Sequence, residues 1–124
     1  MISRQFTITI LSAGLFALGC SASRDIEVTG QVVAGTAQGE LVLEFFDVNG
    51  DEKTSVHTAK AGADGSFKEV ISVEGDEILV RALADADGNG ACSAGEKWGE
   101  ASATIQDDAV EPISIALGTA ACPE

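Results

Sequence analysis

No tyrosine occurs in this chain, and histidine, tryptophan and methionine occur once each. A single histidine, His57, excludes a histidine cluster for zinc, and no serine or cysteine beside it suggests an activated nucleophile. On a thin polar stretch it reads as solvent-facing. Cations are scarce too: seven lysines and arginines face twenty aspartates and glutamates, for a net charge of −13. Such a surface repels phosphate backbones and anionic membrane faces, which excludes nucleic-acid binding. No phosphate-cradling glycine loop precedes a helix. Twenty carboxylates leave a carboxylate-pair hydrolase formally open, but abundance alone selects no pair. The chain therefore reads as non-catalytic.

Long hydrophobic runs are equally few. The one long apolar run, Phe6 to Leu18, has thirteen residues. As a helix it covers about 20 Å, against a hydrocarbon core of roughly 30 Å, so it is too short for a spanning anchor. Arg4 lies before it and small Gly19 after it, the order of a secretory signal helix. Cys20 directly follows Phe16-Ala17-Leu18-Gly19, and this ending resembles a bacterial lipoprotein signal. The resemblance implies removal of residues 1–19, lipidation of Cys20 as the new N-terminus, and membrane attachment through that lipid. Ala17 stands where leucine is commonest, a substitution the pattern accepts. Cleavage by an ordinary signal peptidase, leaving Cys20 unmodified, is the alternative. Ser21 resembles the residue of outer-membrane sorting, so the expected place is the cell envelope, lipid-anchored in the outer membrane on its periplasmic or surface face.

Residues 20–25 then form the lipidated cysteine and a polar tether, and 26–122 one small domain. With Cys20 assigned to lipid, Cys92 and Cys122 remain as a pair in an oxidising compartment. A disulfide between them closes a loop of about thirty residues, worth roughly 3–4 kcal/mol. Two free thiols are the alternative; no Cys-x-x-Cys spacing supports a redox motif.

The domain reads as all-β. Short alternating stretches recur between turn signals: Ile26 to Val32, Leu41 to Phe46, a polar edge strand at 53–59, Phe67 to Val73, Ile78 to Ala82, Trp98 to Ile105, and Ile113 to Leu117. Asn49-Gly50 marks a hairpin. Ile78 to Ala82, apolar on both faces, is the expected central strand. Seven strands in about a hundred residues predict a single antiparallel Greek-key sandwich of transthyretin or immunoglobulin type. Val28-Thr29-Gly30-Gln31-Val32, the Asp64-Gly65-Ser66-Phe67 turn, and the Ile78 to Ala82 strand entering an acidic loop resemble transthyretin-like modules, including carboxypeptidase-regulatory and collagen-adhesin repeat types. That resemblance implies stalk, spacer or ligand-binding roles.

Residues 85–96 read Asp-Ala-Asp-Gly-Asn-Gly-Ala-Cys-Ser-Ala-Gly-Glu and satisfy the calcium-loop pattern D-x-[DN]-x-[DN]-G-x₅-E. Ca²⁺ takes six to eight oxygens at about 2.3–2.6 Å, which a tightly wound loop supplies from alternate residues. Similarity to EF-hand loops assigns side-chain oxygens to Asp85, Asp87 and Asn89, a backbone carbonyl to Ala91, a direct or water-mediated contact to Ser93, and both carboxylate oxygens to Glu96. Gly90 is the sharp turn. The pattern departs from EF-hands in having strands on both sides and no second loop. Its bland counterpart is an acidic strand connection in an acidic protein. Asp47-Val48-Asn49-Gly50-Asp51 looks like half such a site, but Thr58 fills the twelfth position. Trp98 reads as a cap on the core at a strand start, with ligand stacking as the alternative.

Two roles suit an envelope module of this kind. Its loop end, Asp85 to Trp98 with the Asn49-Gly50 turn, recognises a basic or glycan ligand; or the domain is a passive accessory of an envelope protein complex, bound through the 53–59 edge.

Overall fold

A computed structural model describes residues 23–122. The expected signal segment, residues 1–19, and Cys20 lie outside the described residues. Among the described residues there are seven strands and no helix: β1 (Arg24–Val33), β2 (Glu40–Asn49), β3 (Glu52–Lys60), β4 (Ser66–Val73), β5 (Glu77–Asp85), β6 (Trp98–Thr104) and β7 (Ile113–Ala116). They build a three-stranded sheet in the order β4-β1-β7 and a four-stranded sheet in the order β3-β2-β5-β6. No helix among the described residues is long and apolar enough to cross a membrane.

The alternating apolar residues create the core between the sheets. Phe45, Ile26, Leu43, Ile71, Ile78 and Ile115 are its largest fully buried side chains. Phe45 meets Phe67 edge-on, with ring centroids 6.0 Å apart, the geometry that aromatic quadrupoles favour. Gly30 interrupts the apolar series of β1 for a steric reason. A Cβ there would lie 2.5 Å from the Phe67 ring and 2.3 Å from the Ile113 carbonyl. β5 is central as its two apolar faces predict, hydrogen-bonded to β2 and β6. The polar β3 is an edge strand.

Not every pair is antiparallel. β7 lies parallel to β1, with Gly30 opposite Ile113 and Val33 opposite Ala116. The connection after β6 crosses to the other sheet, so the chain returns antiparallel to β6, as the Trp98–Gly118 bridge records. β1 already runs in that direction, and the pair is parallel by geometry. β1 also begins at Arg24, earlier than its apolar pattern predicts. Arg24 Nη2 donates to the Gly75 carbonyl at 2.9 Å, and its Nε lies 3.0 Å from Asp108 Oδ1.

The open sides of the sandwich close differently. On one, Trp98 and Gly118 exchange backbone hydrogen bonds of 3.1 and 2.8 Å. On the other, His57 of β3 and Glu69 of β4 share a 2.8 Å hydrogen bond. His57 is thus half-buried beside Phe45, not turned to solvent. A bulge between Phe45 and Phe46 shifts the β2–β3 register. At the hairpin tip Asn49 pairs with Glu52, so the two-residue turn is Gly50-Asp51, one place later than the Asn-Gly signal suggests. Gly50 takes φ +65°, the left-handed first position that such a turn favours.

Candidate metal centre

β5 sets the site's position. Its last residue is Asp85, opposite Glu40 at the start of β2. Asn49, at the far end of β2, is about 30 Å away at roughly 3.3 Å per residue. The Asn49-Gly50 turn therefore lies at the opposite end of the sheet and belongs to no common surface with Asp85 to Trp98. That part of the sequence expectation is corrected by register, which a linear pattern does not contain.

Beyond Asp85 the chain winds on itself. Gly90, at φ +75°, turns its N–H to Asp85 Oδ2 at 2.7 Å. Glu96 returns eleven residues later and closes the loop with both oxygens. Its Oε2 accepts from the N–H groups of Ala86 (2.8 Å) and Asp87 (3.2 Å), and its Oε1 from Ser93 N–H (2.8 Å). Asp87 accepts from Asn89 N–H through Oδ1 and from the Ser93 hydroxyl through Oδ2. Asn89 accepts from Ala91 N–H at 2.9 Å and donates to Ser93 Oγ at 3.1 Å. Ala91 itself is exposed.

The outcome is a convergence of charge. Asp85, Asp87 and Glu96 each present a carboxylate oxygen within 4.8 Å of the others, a group that could hold a metal ion. Asp85 is 5% exposed and Glu96 9%. Asp85 Oδ1 is buried and has no hydrogen-bond partner, although an unpaired buried carboxylate oxygen is costly. The Ser93 hydroxyl, and next the Asn89 N–H, hold the Asp87 carboxyl below its ordinary value of 3.8. Cys92 is not a thiolate donor: its sulfur is bonded to that of Cys122, with the Cα atoms 5.7 Å apart. The remaining donors are oxygens, which suit hard divalent cations and disfavour soft ones.

The loop also shelters the outer face of the four-stranded sheet. A groove of about 280 Å³ lies there, lined by Val42, Glu44, Arg81, Leu83, Cys92 and Trp98 among others. Arg81 stacks between Phe46 (5.0 Å) and Trp98 (5.8 Å) and donates to Glu100 at 3.0 Å. Trp98 thus packs on the outer face and not on the core, because its partner Leu83 points outward. Its indole N–H donates to the carbonyls of Ala120 and Ala121, each at 3.0 Å. Neither the stack nor this clamp on the tail has a sequence signal, since their members come from different strands and from the tail.

The chain matches no protein-family model, no curated protein and no solved structure.

Proposed function

We propose that this chain is a non-catalytic, envelope-anchored lipoprotein whose β domain is a binding or structural module, with the 85–96 loop as a weak structural calcium site. The observation that carries the cation reading is the partnerless Oδ1 of buried Asp85, set among the Asp87 and Glu96 carboxylates within 4.8 Å. Like charges this close repel by about 1 kcal/mol per pair even in water, and a divalent cation reverses the sign. The contribution of Asp85, Asp87 and Glu96 is to hold the ion; Asn89, Ala91 and Ser93 complete the oxygen set. Affinity in the range of about 10⁻⁴–10⁻³ M matches extracellular calcium modules.

The Greek-key, transthyretin-like reading belongs to the same proposal. It is supported by a chain that crosses between the two sheets in four of its six connections. Lipidation of Cys20 rests on the signal resemblance alone. Mass spectrometry of the N-terminal peptide tests it, and an unmodified Cys20 overturns it.

The cation reading is tested on the full chain in detergent. Calcium at ten times its dissociation constant, about 1–10 mM, stabilises by about 1.4 kcal/mol, which raises Tm by roughly 6–11 °C. EDTA reverses the rise, and Glu96→Gln abolishes it. An unchanged melt at about 10 mM calcium sinks the reading.

The accessory-subunit role draws support from β3, the exposed outer strand of its sheet. Capture of an envelope protein that is lost when the 53–59 edge is blocked favours that role. Salt-sensitive binding of a basic or glycan ligand, lost in Asp85→Asn with Asp87→Asn, favours recognition by the loop.

A further inference from the structure

The candidate cation loop has two halves that are held in place by different means. Asp85 to Gly90 grows directly out of β5 and is closed by the Gly90 N–H bond to Asp85. Ala91 to Glu96 continues no strand, and the backbone rejoins β5 only at Lys97, whose carbonyl accepts from Ala84 N–H at 2.9 Å. Besides the bonds of Glu96 and Ser93 to the first half, this second half is held by Cys92, bonded to Cys122, and by Trp98, which begins β6 two residues after Glu96. Trp98 exchanges backbone bonds with Gly118 and donates its indole N–H to Ala120 and Ala121. The tail that carries Cys122 is therefore pinned to the residue where the loop ends, and its disulfide returns to the loop's middle. The resulting ring encloses Ser93 and Glu96, the two residues that reach back to Asp87 and to the N–H groups of Ala86 and Asp87.

We propose that the Cys92–Cys122 disulfide and the Trp98-pinned tail are the positioning elements of the cation site, so that cation affinity and disulfide stability are thermodynamically linked. The inference rests on the cation reading above. With the ring closed, Glu96 is presented near Asp85 and Asp87 before the ion arrives. With it open, the ordering of the second half, Ala91 to Glu96, falls more heavily on the ion, and that entropy is subtracted from binding. Cys92 and Cys122 are only half-buried, so a small dithiol can reach the bond. Reduction transfers two electrons and two protons from the dithiol, which closes to its own disulfide and leaves two protein thiols. Linkage requires that the factor by which the disulfide strengthens cation binding is the factor by which the cation resists reduction.

The test is calorimetric titration of the full chain with calcium chloride, oxidised and after reduction by dithiothreitol. The expected result is at least tenfold weaker binding by the reduced chain. In reciprocal form, saturating calcium lowers the reduction potential of Cys92–Cys122 by about 30 mV for each factor of ten. Trp98→Phe keeps the disulfide but removes the indole N–H, and it weakens binding about threefold. Ile71→Val, a core truncation in β4 and outside the 92–122 loop, leaves the affinity unchanged. Equal affinity in the oxidised and reduced chains overturns the linkage while the cation reading stands. Weakening by Ile71→Val as large as that by reduction overturns it also, by tracing the effect to general stability. Absence of binding by the oxidised chain overturns the cation reading and the linkage together.

Discussion

Two segments of this chain carry the sequence Asp-x-Asn-Gly, Asp47 to Gly50 and Asp87 to Gly90, and they lie at opposite ends of the four-stranded sheet. In the first, the carboxylate is fully engaged by backbone. Asp47 accepts from Glu74 and Gly75 N–H groups, each at 2.9 Å, and so ties the turn before β5 to β2. In the second, Asp87 joins two further carboxylates, one of which keeps an unpaired oxygen. The difference arises from the path of the chain after each tetrapeptide. Past Gly50 a paired strand begins at once, and it sets Thr54, not a carboxylate, opposite Asp47. Past Gly90 the chain stays in a loop long enough for Glu96 to come back. Local sequence alone makes the turn; the returning carboxylate makes a site.

The comparison can be broken in several ways. The largest effect is expected from Cys92→Ser with Cys122→Ser, which costs about 3–4 kcal/mol in urea unfolding. Hydrogen exchange should quicken across 86–97 and stay unchanged at the Gly50-Asp51 turn. Equal loosening at both ends would dissolve the distinction. Next is Asp47→Ala, which leaves two N–H groups without their acceptor and lowers stability by about 1–2 kcal/mol. The calcium-induced rise in Tm should survive it, because Asp47 is remote from the loop.

Asp85→Asn acts in the opposite sense. An amide there keeps an acceptor for Gly90 and removes one of three crowded charges. The variant should therefore melt higher than the native chain in EDTA, by about 1 kcal/mol, and show no response to calcium. A lower melt in EDTA would mean that the three carboxylates are not in conflict.

The smallest effect is a pH dependence. Asp87 is held below its ordinary pKa of 3.8 by Ser93 and Asn89, and Asp64 below the same value by the Ser66 hydroxyl and then the Ser66 N–H. A carboxyl whose folded pKa is depressed contributes stability above about pH 4, lost as pH falls through the lowered value. Melting curves between pH 5 and pH 2 should show a shallower decline for Asp87→Asn and for Asp64→Asn than for the native chain. A native curve flat over that range would refute both assignments.

Much of the fold was legible. Alternation placed all seven strands, found the two-faced β5 and put polar β3 at an edge, because burial on one face imposes a period of two. The cysteine pair was legible too, from compartment and parity. The parallel pairing of β1 with β7 was not, because it depends on which way the chain crosses between sheets. Nor was the half-buried position of His57, since Glu69, its partner, lies on a strand of the other sheet. The candidate site was legible as spacing: Asp85, Asp87 and Glu96 meet as the twelve-residue pattern predicts. The Asn49-Gly50 turn was wrongly joined to that surface, because strand direction alone separates them.

By itself the sequence determined the all-β character, the acidic surface and the spacing of the three carboxylates, all properties of neighbours along the chain. Tertiary structure alone decided that Asp85 is buried with an oxygen left over, and that the tail bearing Cys122 is clamped by Trp98 beside the same loop. The physical reason is that burial and partnership are set by what folds over a residue. Here that is Glu96, returning eleven residues after the end of β5, and a tail returning from β7 to Trp98, more than twenty residues away.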